Sequence, residues 1–118
     1  MTSSANHWTK QSACARILLC AVVLAGAGCL TLEESAPPAA ALVPAGSPVP
    51  APLARGRELY VTACAKCHSA EPVLDYPVDQ WINKILPEMN ELTKLTPSDA
   101  EAVRAYVLAV HSAAGQDR

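Results

Sequence analysis

Two cysteines and a histidine form the group in this sequence that is best suited to chemistry. Cys64 and Cys67 lie three positions apart, and His68 follows directly. Thiols at this spacing can each add to a vinyl group of a porphyrin, and the adjacent imidazole is then placed to bind the iron from one side. The C-x-x-C-H pattern therefore predicts covalent attachment of one haem, with His68 as the proximal ligand of the iron.

Thiol redox chemistry and zinc binding are the other common uses of such a cysteine pair. A thioredoxin-like motif belongs in a βαβ unit, and the sequence has no strand-like alternation of useful length. A structural zinc site needs four ligands, and beyond residue 28 only His111 adds a histidine to His68. Both alternatives are therefore weaker than haem attachment.

The N-terminal residues have the pattern of a bacterial export signal. Residues 1–16 are polar and include Lys10 and Arg16, and a short apolar run extends from residue 17 to residue 27. This run is shorter than the roughly 20 apolar residues that a permanent membrane-spanning helix requires. We therefore predict that residues 1–28 are an export signal peptide and that the mature protein works in the periplasm.

The site at which the signal is cut has two interpretations. Residues 25–27 are all small, as an ordinary signal peptidase requires before its cleavage site, and this cut would leave Gly28 as the first residue. Residues 24–29 instead resemble a bacterial lipoprotein lipobox, with Gly26 where Leu or Val is usual. In that case Cys29 becomes the lipidated first residue.

The number of cysteines favours the lipoprotein. Cys14 and Cys20 leave with the signal, and an odd free thiol is unfavourable in an oxidising compartment. A lipid on Cys29, with haem on the other two cysteines, leaves no free thiol. We therefore predict a membrane anchor at Cys29, and Leu30 after it favours the outer membrane over the inner one.

A proline- and alanine-rich segment follows the predicted anchor. Proline disfavours helix interiors and central strands, and such a segment behaves as an extended spacer of about 3 Å per residue. We therefore predict a tether over residues 29–53, able to hold a domain on the order of 60 Å from its anchor. The folded domain is then expected over residues 54–118. The prolines of the tether are Pro37, Pro38, Pro44, Pro48, Pro50 and Pro52.

The predicted domain is all-α, with three helical segments. The first runs from Arg55 to about Ala65 and places Gly56, Tyr60 and Cys64 on one face at four-residue steps. A domain of this size usually needs a disulfide, a metal or another covalent support. The sequence contains no Phe, so an enclosed haem would supply apolar mass that the side chains lack.

The other two helices have start and stop signals. Asp79 is a candidate cap for the second helix, which Pro87 should end or kink. The third begins with Thr96 as N-cap and Pro97 in the first position, and Gly115 marks its expected end. The predicted apolar faces are Trp81, Ile82, Ile85 and Leu86 in the second helix, and Val103, Tyr106, Val107 and Val110 in the third.

The arrangement around C-x-x-C-H resembles class I cytochromes c over roughly residues 54–112. In that family a glycine and an aromatic residue stand eight and four positions before the first haem cysteine, where this chain has Gly56 and Tyr60. The resemblance implies three to four short helices wrapped around one covalent haem c, with Tyr60 in the haem pocket. It also implies that the C-terminal helix crosses at Gly56, with Val103 and Tyr106 as candidates for the contact.

The same resemblance implies a methionine as the second axial ligand of the iron. Met89 is the only methionine besides Met1, and it falls between the middle and C-terminal helices, where the ligand loop of the family lies. Residues 85–89 are helix-like here, whereas the family has a glycine-rich approach to its methionine. His111 is the rival ligand, and a pentacoordinate iron is the third possibility.

The resemblance implies further contacts around the haem. The backbone carbonyl of Pro77, nine residues after His68, is expected to accept the second N–H of the proximal imidazole, with Pro72 as the alternative. Trp81 either donates its indole N–H to a haem propionate or packs on the edge of the ring. Lys66, inside the motif, is expected to face solvent.

These observations predict a small monomeric electron-transfer protein, not an enzyme, that cycles between ferric and ferrous iron with redox proteins as partners. Loss of Lys10 and Arg16 leaves seven of the nine basic residues against eleven acidic ones, a net charge of about −4, which argues against nucleic acid as a partner. One alternative is a ligand-binding, sensor or peroxidase-like haem with an open distal site. Another is the cytochrome subunit of a larger dehydrogenase or oxidase complex.

Overall fold

The structure, a computed structural model, describes residues 31–116, so the predicted export signal and Cys29 lie outside the described residues. Over this range the chain is helical without any strand, which confirms the all-α prediction. The α-helices are α1 (Leu32–Ser35), α2 (Ala51–Thr62), α3 (Val78–Gln80), α4 (Leu86–Thr93) and α5 (Pro97–Gln116). Short 3₁₀ turns cover Ala39–Leu42, Cys64–Lys66 and Val73–Asp75, and a π-helical turn, Trp81–Ile85, joins α3 to α4. None of the described helices is both long and apolar enough to cross a membrane.

The core is built where α2 crosses α5. A Cβ atom added at Gly56 would overlap the backbone carbonyl of Ala102 and lie 2.8 Å from the Cβ of Tyr106, so only glycine permits this approach. The predicted crossing at Gly56 and Tyr106 is therefore confirmed. Ala102, which the sequence did not single out, supplies the opposing backbone, while Val103 is fully buried in the core beside it.

A row of four aromatic rings extends from the crossing to the middle helices. The ring of Tyr60 lies 5.6 Å from that of Tyr106 and 5.9 Å from that of Trp81, and Trp81 lies 5.8 Å from Tyr76, edge to face. Such pairs contribute about 0.5–1.5 kcal/mol each beyond their buried area. Burial raises the pKa of Tyr106 to about 12, so this phenol stays neutral at physiological pH. We call these four residues the aromatic row.

The segment predicted as an extended tether contains residues that pack against the domain. Ala36 is fully buried and Ala39 nearly so. The hydroxyl of Tyr106 donates to the carbonyl of Pro37 at 2.9 Å, and the Nε of Arg57 lies 3.3 and 3.2 Å from the carbonyls of Ala36 and Pro37. We call residues 35–43 the N-terminal strap. The expectation of an extended spacer is wrong here, because proline excludes helix interiors but not close packing of small alanines between helices.

The start of α2 also precedes the expected domain boundary at residue 54. The helix begins at Ala51, with Pro50 in the N-cap position and Pro52 in the first turn. Proline is tolerated there because the first N–H groups of a helix have no intrahelical partner. Leu53 is buried in the core, so the folded unit includes residues assigned to the tether.

The middle helices differ from the expectation at both ends. Pro77 occupies the N-cap position of α3, so Asp79 lies in the first turn and is not the cap. Pro87 does not end the helix, because it falls in the first turn of α4, directly after the π-helical turn. The helical path ends instead at Lys94, which adopts a left-handed backbone with φ of 56°.

The beginning of α5 is as predicted, and it carries an ion pair to α2. The hydroxyl of Thr96 accepts the N–H of Asp99 at 3.2 Å, as expected of an N-cap. The carboxylate of Asp99 accepts two hydrogen bonds from Arg55, at 2.9 and 3.2 Å. These bonds hold the pKa of Asp99 below its ordinary value. The helix continues through Gly115, its predicted end, to Gln116.

Replacing Gly56 by alanine should destabilise the fold by about 1–3 kcal/mol, because the methyl group forces α2 and α5 apart. Gly115 is the matched control, since a Cβ there meets no atom within 4 Å. Gly115→Ala should leave stability unchanged or raise it by up to about 1 kcal/mol. Thermal unfolding followed by circular dichroism measures both effects, and equal midpoints for the two variants would contradict the close crossing.

Replacing Asp99 by asparagine should lower the urea midpoint at neutral pH. A depressed pKa means that the Asp99 carboxylate stabilises the fold above its ordinary pKa of about 3.9, and that this contribution is lost as the pH falls through the lower pKa of the folded state. The difference between parent and variant should therefore shrink at acidic pH. Glu101→Gln, which removes only an exposed pair with Arg104 on the same helix, should have little effect. A pH-independent effect of Asp99→Asn would refute the ionic contribution.

Candidate functional site

Two adjoining clefts meet at the residues of the C-x-x-C-H motif. One has a volume of about 310 Å³ and the other of about 290 Å³, and Cys64, His68 and Met89 line both. Each is close to the lower end of the volumes typical of ligand and cofactor sites, about 300–1,000 Å³. The larger cleft also contains the predicted pocket residues Tyr60 and Trp81. The other cysteine, Cys67, lines the smaller cleft together with Lys66, Leu92 and Thr93.

The two thiols lie in different surroundings. Cys64 is half-buried at the start of the 3₁₀ turn that follows α2, and Cys67 is exposed directly after that turn. Burial raises the pKa of the Cys64 thiol. Cysteine pairs that catalyse thiol–disulfide exchange contain a thiol of lowered pKa, so this environment disfavours a thioredoxin-like role.

The imidazole of His68 uses one nitrogen locally. Its Nδ1 lies 2.7 Å from the backbone carbonyl of Ser69 and 3.8 Å from the carboxylate of Glu71. A donated Nδ1–H fixes the tautomer in which Nε2 is the metal-binding nitrogen. Ser69 therefore provides the carbonyl expected from Pro77 or Pro72. The carbonyls of the two prolines accept backbone N–H groups of the turns that follow them.

Trp81 contributes its ring to the larger cleft but not its N–H. The indole nitrogen donates to the buried carbonyl of Val73 at 2.7 Å. Because the N–H is used in this bond, it is not free to donate to a haem propionate. Of the two expected roles of Trp81, packing at the side of the cleft therefore remains. Tyr60 is held in a similar way, since its hydroxyl donates to the carbonyl of Glu71. Both bonds connect the aromatic row to the loop after His68.

Met89 reaches the clefts from a helix and not from a loop. It lies half-buried in α4. Leu86 in the same helix and Ile85 at the end of the π-helical turn also line the larger cleft. The rival ligand His111 lines neither of these two clefts. The residue is half-buried, and its Nε2 is buried without a hydrogen-bond partner among the described residues.

Several residues of the site were not found from the sequence. Tyr76, Lys84 and Glu88 line the larger cleft, and Leu92 lines the smaller one with 75% of its surface exposed. Leu92 lies one helical turn after Met89 at 1.5 Å rise per residue, about 5 Å along the axis. Helical spacing from Met89 could therefore have suggested Leu92 as a neighbour.

Within residues 31–116 no group of three or more His, Cys, Asp or Glu side chains is arranged to hold a metal ion. The four-ligand set of a structural zinc site is therefore not assembled in this part of the chain. Comparison of the chain with protein-family models, with curated proteins and with solved structures gave no match. The function must be argued from the residues of the site.

Trp81→Phe should destabilise the fold by about 1–3 kcal/mol, because it keeps an aromatic ring in the cleft but leaves the buried carbonyl of Val73 without a donor. Tyr76→Phe is the matched control in the same aromatic row, since the hydroxyl of Tyr76 makes no hydrogen bond among the described residues. Its effect should stay within about 0.5 kcal/mol. Urea unfolding compares the two, and equal losses would contradict a structural role for the indole N–H.

Proposed function

We propose that this chain is a small monohaem cytochrome c that carries single electrons between redox proteins in the periplasm, anchored to a membrane through acylated Cys29. The observation that carries the proposal is the meeting of Cys64, Cys67, His68 and Met89 at two adjoining clefts. The sequence alone supports the first three as a motif, and Met89 joins them only through the fold.

The residues of the clefts fit a covalently held haem. Cys64 and Cys67 supply two thiols for attachment, and the contact of His68 Nδ1 with a carbonyl leaves Nε2 for the iron. Met89 supplies a thioether in the same clefts. When bound, the haem supplies reversible one-electron chemistry between ferric and ferrous iron, and thioether ligation raises the reduction potential relative to two histidines.

The other residues of the site give this centre a fixed and mostly apolar environment. Tyr60 and Trp81 are buried and held by hydrogen bonds to backbone carbonyls. Leu86 is buried beside them. Side chains fixed in this way move little when the charge of a bound group changes, and they exclude water from it. A small reorganisation of the surroundings favours fast electron transfer over chemistry on a bound substrate.

The helical architecture also supports the resemblance to class I cytochromes c. An N-terminal helix, α2, ends directly before the cysteines, and a long C-terminal helix, α5, crosses it at Gly56 and Tyr106. The proposal therefore extends to the fold, with the helices wrapped around the haem.

A ligand-binding or peroxidase-like haem is the second candidate. Lys84 and Glu88 line the larger cleft next to Met89, and such polar groups can hydrogen-bond a small molecule on an open iron. A role as the cytochrome subunit of a larger complex would keep the same electron-transfer chemistry. Binding of Met89 to the iron would favour electron transfer, and an iron left open on that side would favour a ligand-binding or peroxidase-like haem.

The absorption spectrum of the haem-loaded protein tests the proposal. The ferrous protein should be low-spin and unchanged by carbon monoxide, and the ferric protein should show the charge-transfer band of an iron–thioether bond. Met89→Leu should lose that band and bind carbon monoxide. Leu92→Ala, at the edge of the smaller cleft on the same helix, should keep the parent spectrum.

Other outcomes would redirect the assignment. A parent protein that binds carbon monoxide and lacks the thioether band has an open distal site, which favours sensing or catalysis. Parent protein that carries no haem after maturation in a haem-attaching host, with Cys64 and Cys67 unmodified by mass spectrometry, would overturn the central proposal.

A further inference from the structure

The first described residue of the chain, Thr31, is close in sequence to the predicted lipid anchor. Thr31 caps α1 with a reciprocal pair of contacts, since its hydroxyl accepts the N–H of Glu34 at 3.3 Å and its N–H donates to the Glu34 carboxylate at 2.7 Å. Only Leu30 separates Thr31 from Cys29. Two residues of fully extended chain span at most about 7 Å. The first turn of the fold therefore lies within that distance of the residue that would carry the lipid.

The strap fixes α1 to the domain. The N–H of Ala36 closes α1 by donating to the carbonyl of Leu32 at 2.8 Å, and Ala36 is then fully buried. The hydrogen bonds of Tyr106 and Arg57 to the strap carbonyls continue this attachment, and the turn Ala39–Leu42 packs against α2 and α5. No free spacer therefore remains between Thr31 and the helices of the core.

We propose that the acylated protein lies directly on the headgroup surface of its bilayer, with α1 at that surface, and that it does not move at the end of a long tether. The inference rests on the acylation of Cys29 in the proposed function. Leu32, with 51% of its surface exposed on α1, is the apolar side chain placed to enter the interface. The acidic Glu33 and Glu34 in the same turn are repelled by anionic lipids, and salt screens this repulsion, so high salt should not weaken the contact.

The position of the site follows from the same contacts. The strap binds the hydroxyl of Tyr106, the ring of Tyr106 contacts Tyr60, and Tyr60 contacts Trp81 at the larger cleft. The clefts are thus joined to the membrane-facing segment through packed side chains and have a fixed position relative to it. A redox partner would have to present its own centre at the same bilayer surface.

Neutron reflectometry tests this arrangement with the acylated, haem-loaded protein on a supported bilayer of phosphatidylethanolamine with a minor fraction of phosphatidylglycerol. The measured quantity is the water gap between the headgroups and the protein layer. We expect a gap of no more than about 7 Å, set by two residues of chain, that does not widen at high salt. An extended tether over residues 33–53 would instead allow a gap of up to about 60 Å.

A matched variant separates the strap from the anchor. Insertion of twenty Gly and Ser residues between Leu30 and Thr31 leaves every described contact in place and should raise the gap by about 25 Å. Ala36→Glu places a charge at a fully buried position and should release the strap and raise the gap in the same direction. An unchanged haem spectrum reports that the core of each variant remains folded. If Ala36→Glu does not fold, the insertion variant alone tests the proposal.

The outcomes distinguish this inference from the proposed function. An acylated parent protein with a gap of tens of ångströms would overturn the docking and leave the anchor and the haem assignment intact. An N-terminal peptide without acyl chains on Cys29 would overturn the anchor and the docking together. The haem spectrum of the same sample reports independently on electron transfer.

Discussion

The close contact of α2 with α5 determines how the rest of the domain is arranged. Gly56 lets two helix backbones touch at Ala102, and this contact brings the rings of Tyr60 and Tyr106 together one turn further along. Tyr60 then meets Trp81, which lines the larger cleft. A wider crossing would separate these rings and shift the wall of the cleft away from the cysteines that follow α2.

The aromatic row also positions the irregular segments. The polar atoms of Tyr60, Trp81 and Tyr106 each donate to a backbone carbonyl, those of Glu71, Val73 and Pro37 respectively. These carbonyls belong to loops and to the strap, which have few hydrogen bonds of their own. A small domain with no Phe thus uses the amphipathic character of Tyr and Trp twice, once for apolar packing and once to hold the chain between helices.

Side-chain types and spacing predicted the features that depend on local rules. The N-cap at Thr96 follows from residues a few positions apart, whereas the crossing at Gly56 was implied by the resemblance to class I cytochromes c. The strap could not be predicted in this way, because proline rules out helix interiors without saying where a non-helical segment packs. The sequence also could not predict that Trp81 donates to the carbonyl of Val73, because every residue has a backbone carbonyl. The lining of both clefts by Met89 and His68 required the path of the chain between them.

The π-helical turn at Trp81–Ile85 takes up one extra residue between α3 and α4. In this turn the N–H of Leu86 donates to the carbonyl of Trp81, five residues back instead of four, so the helix contains one residue more than a regular path would need. In a regular α-helix one extra residue would rotate everything after it by about 100°. The wider turn takes up this residue locally, so α4 continues on the path of a regular helix and presents Met89 to the clefts. Deletion of a single residue within the π-helical turn should therefore restore a regular helix and leave Met89 close to its present place, whereas the same deletion within α4 before Met89 would rotate it away from the site.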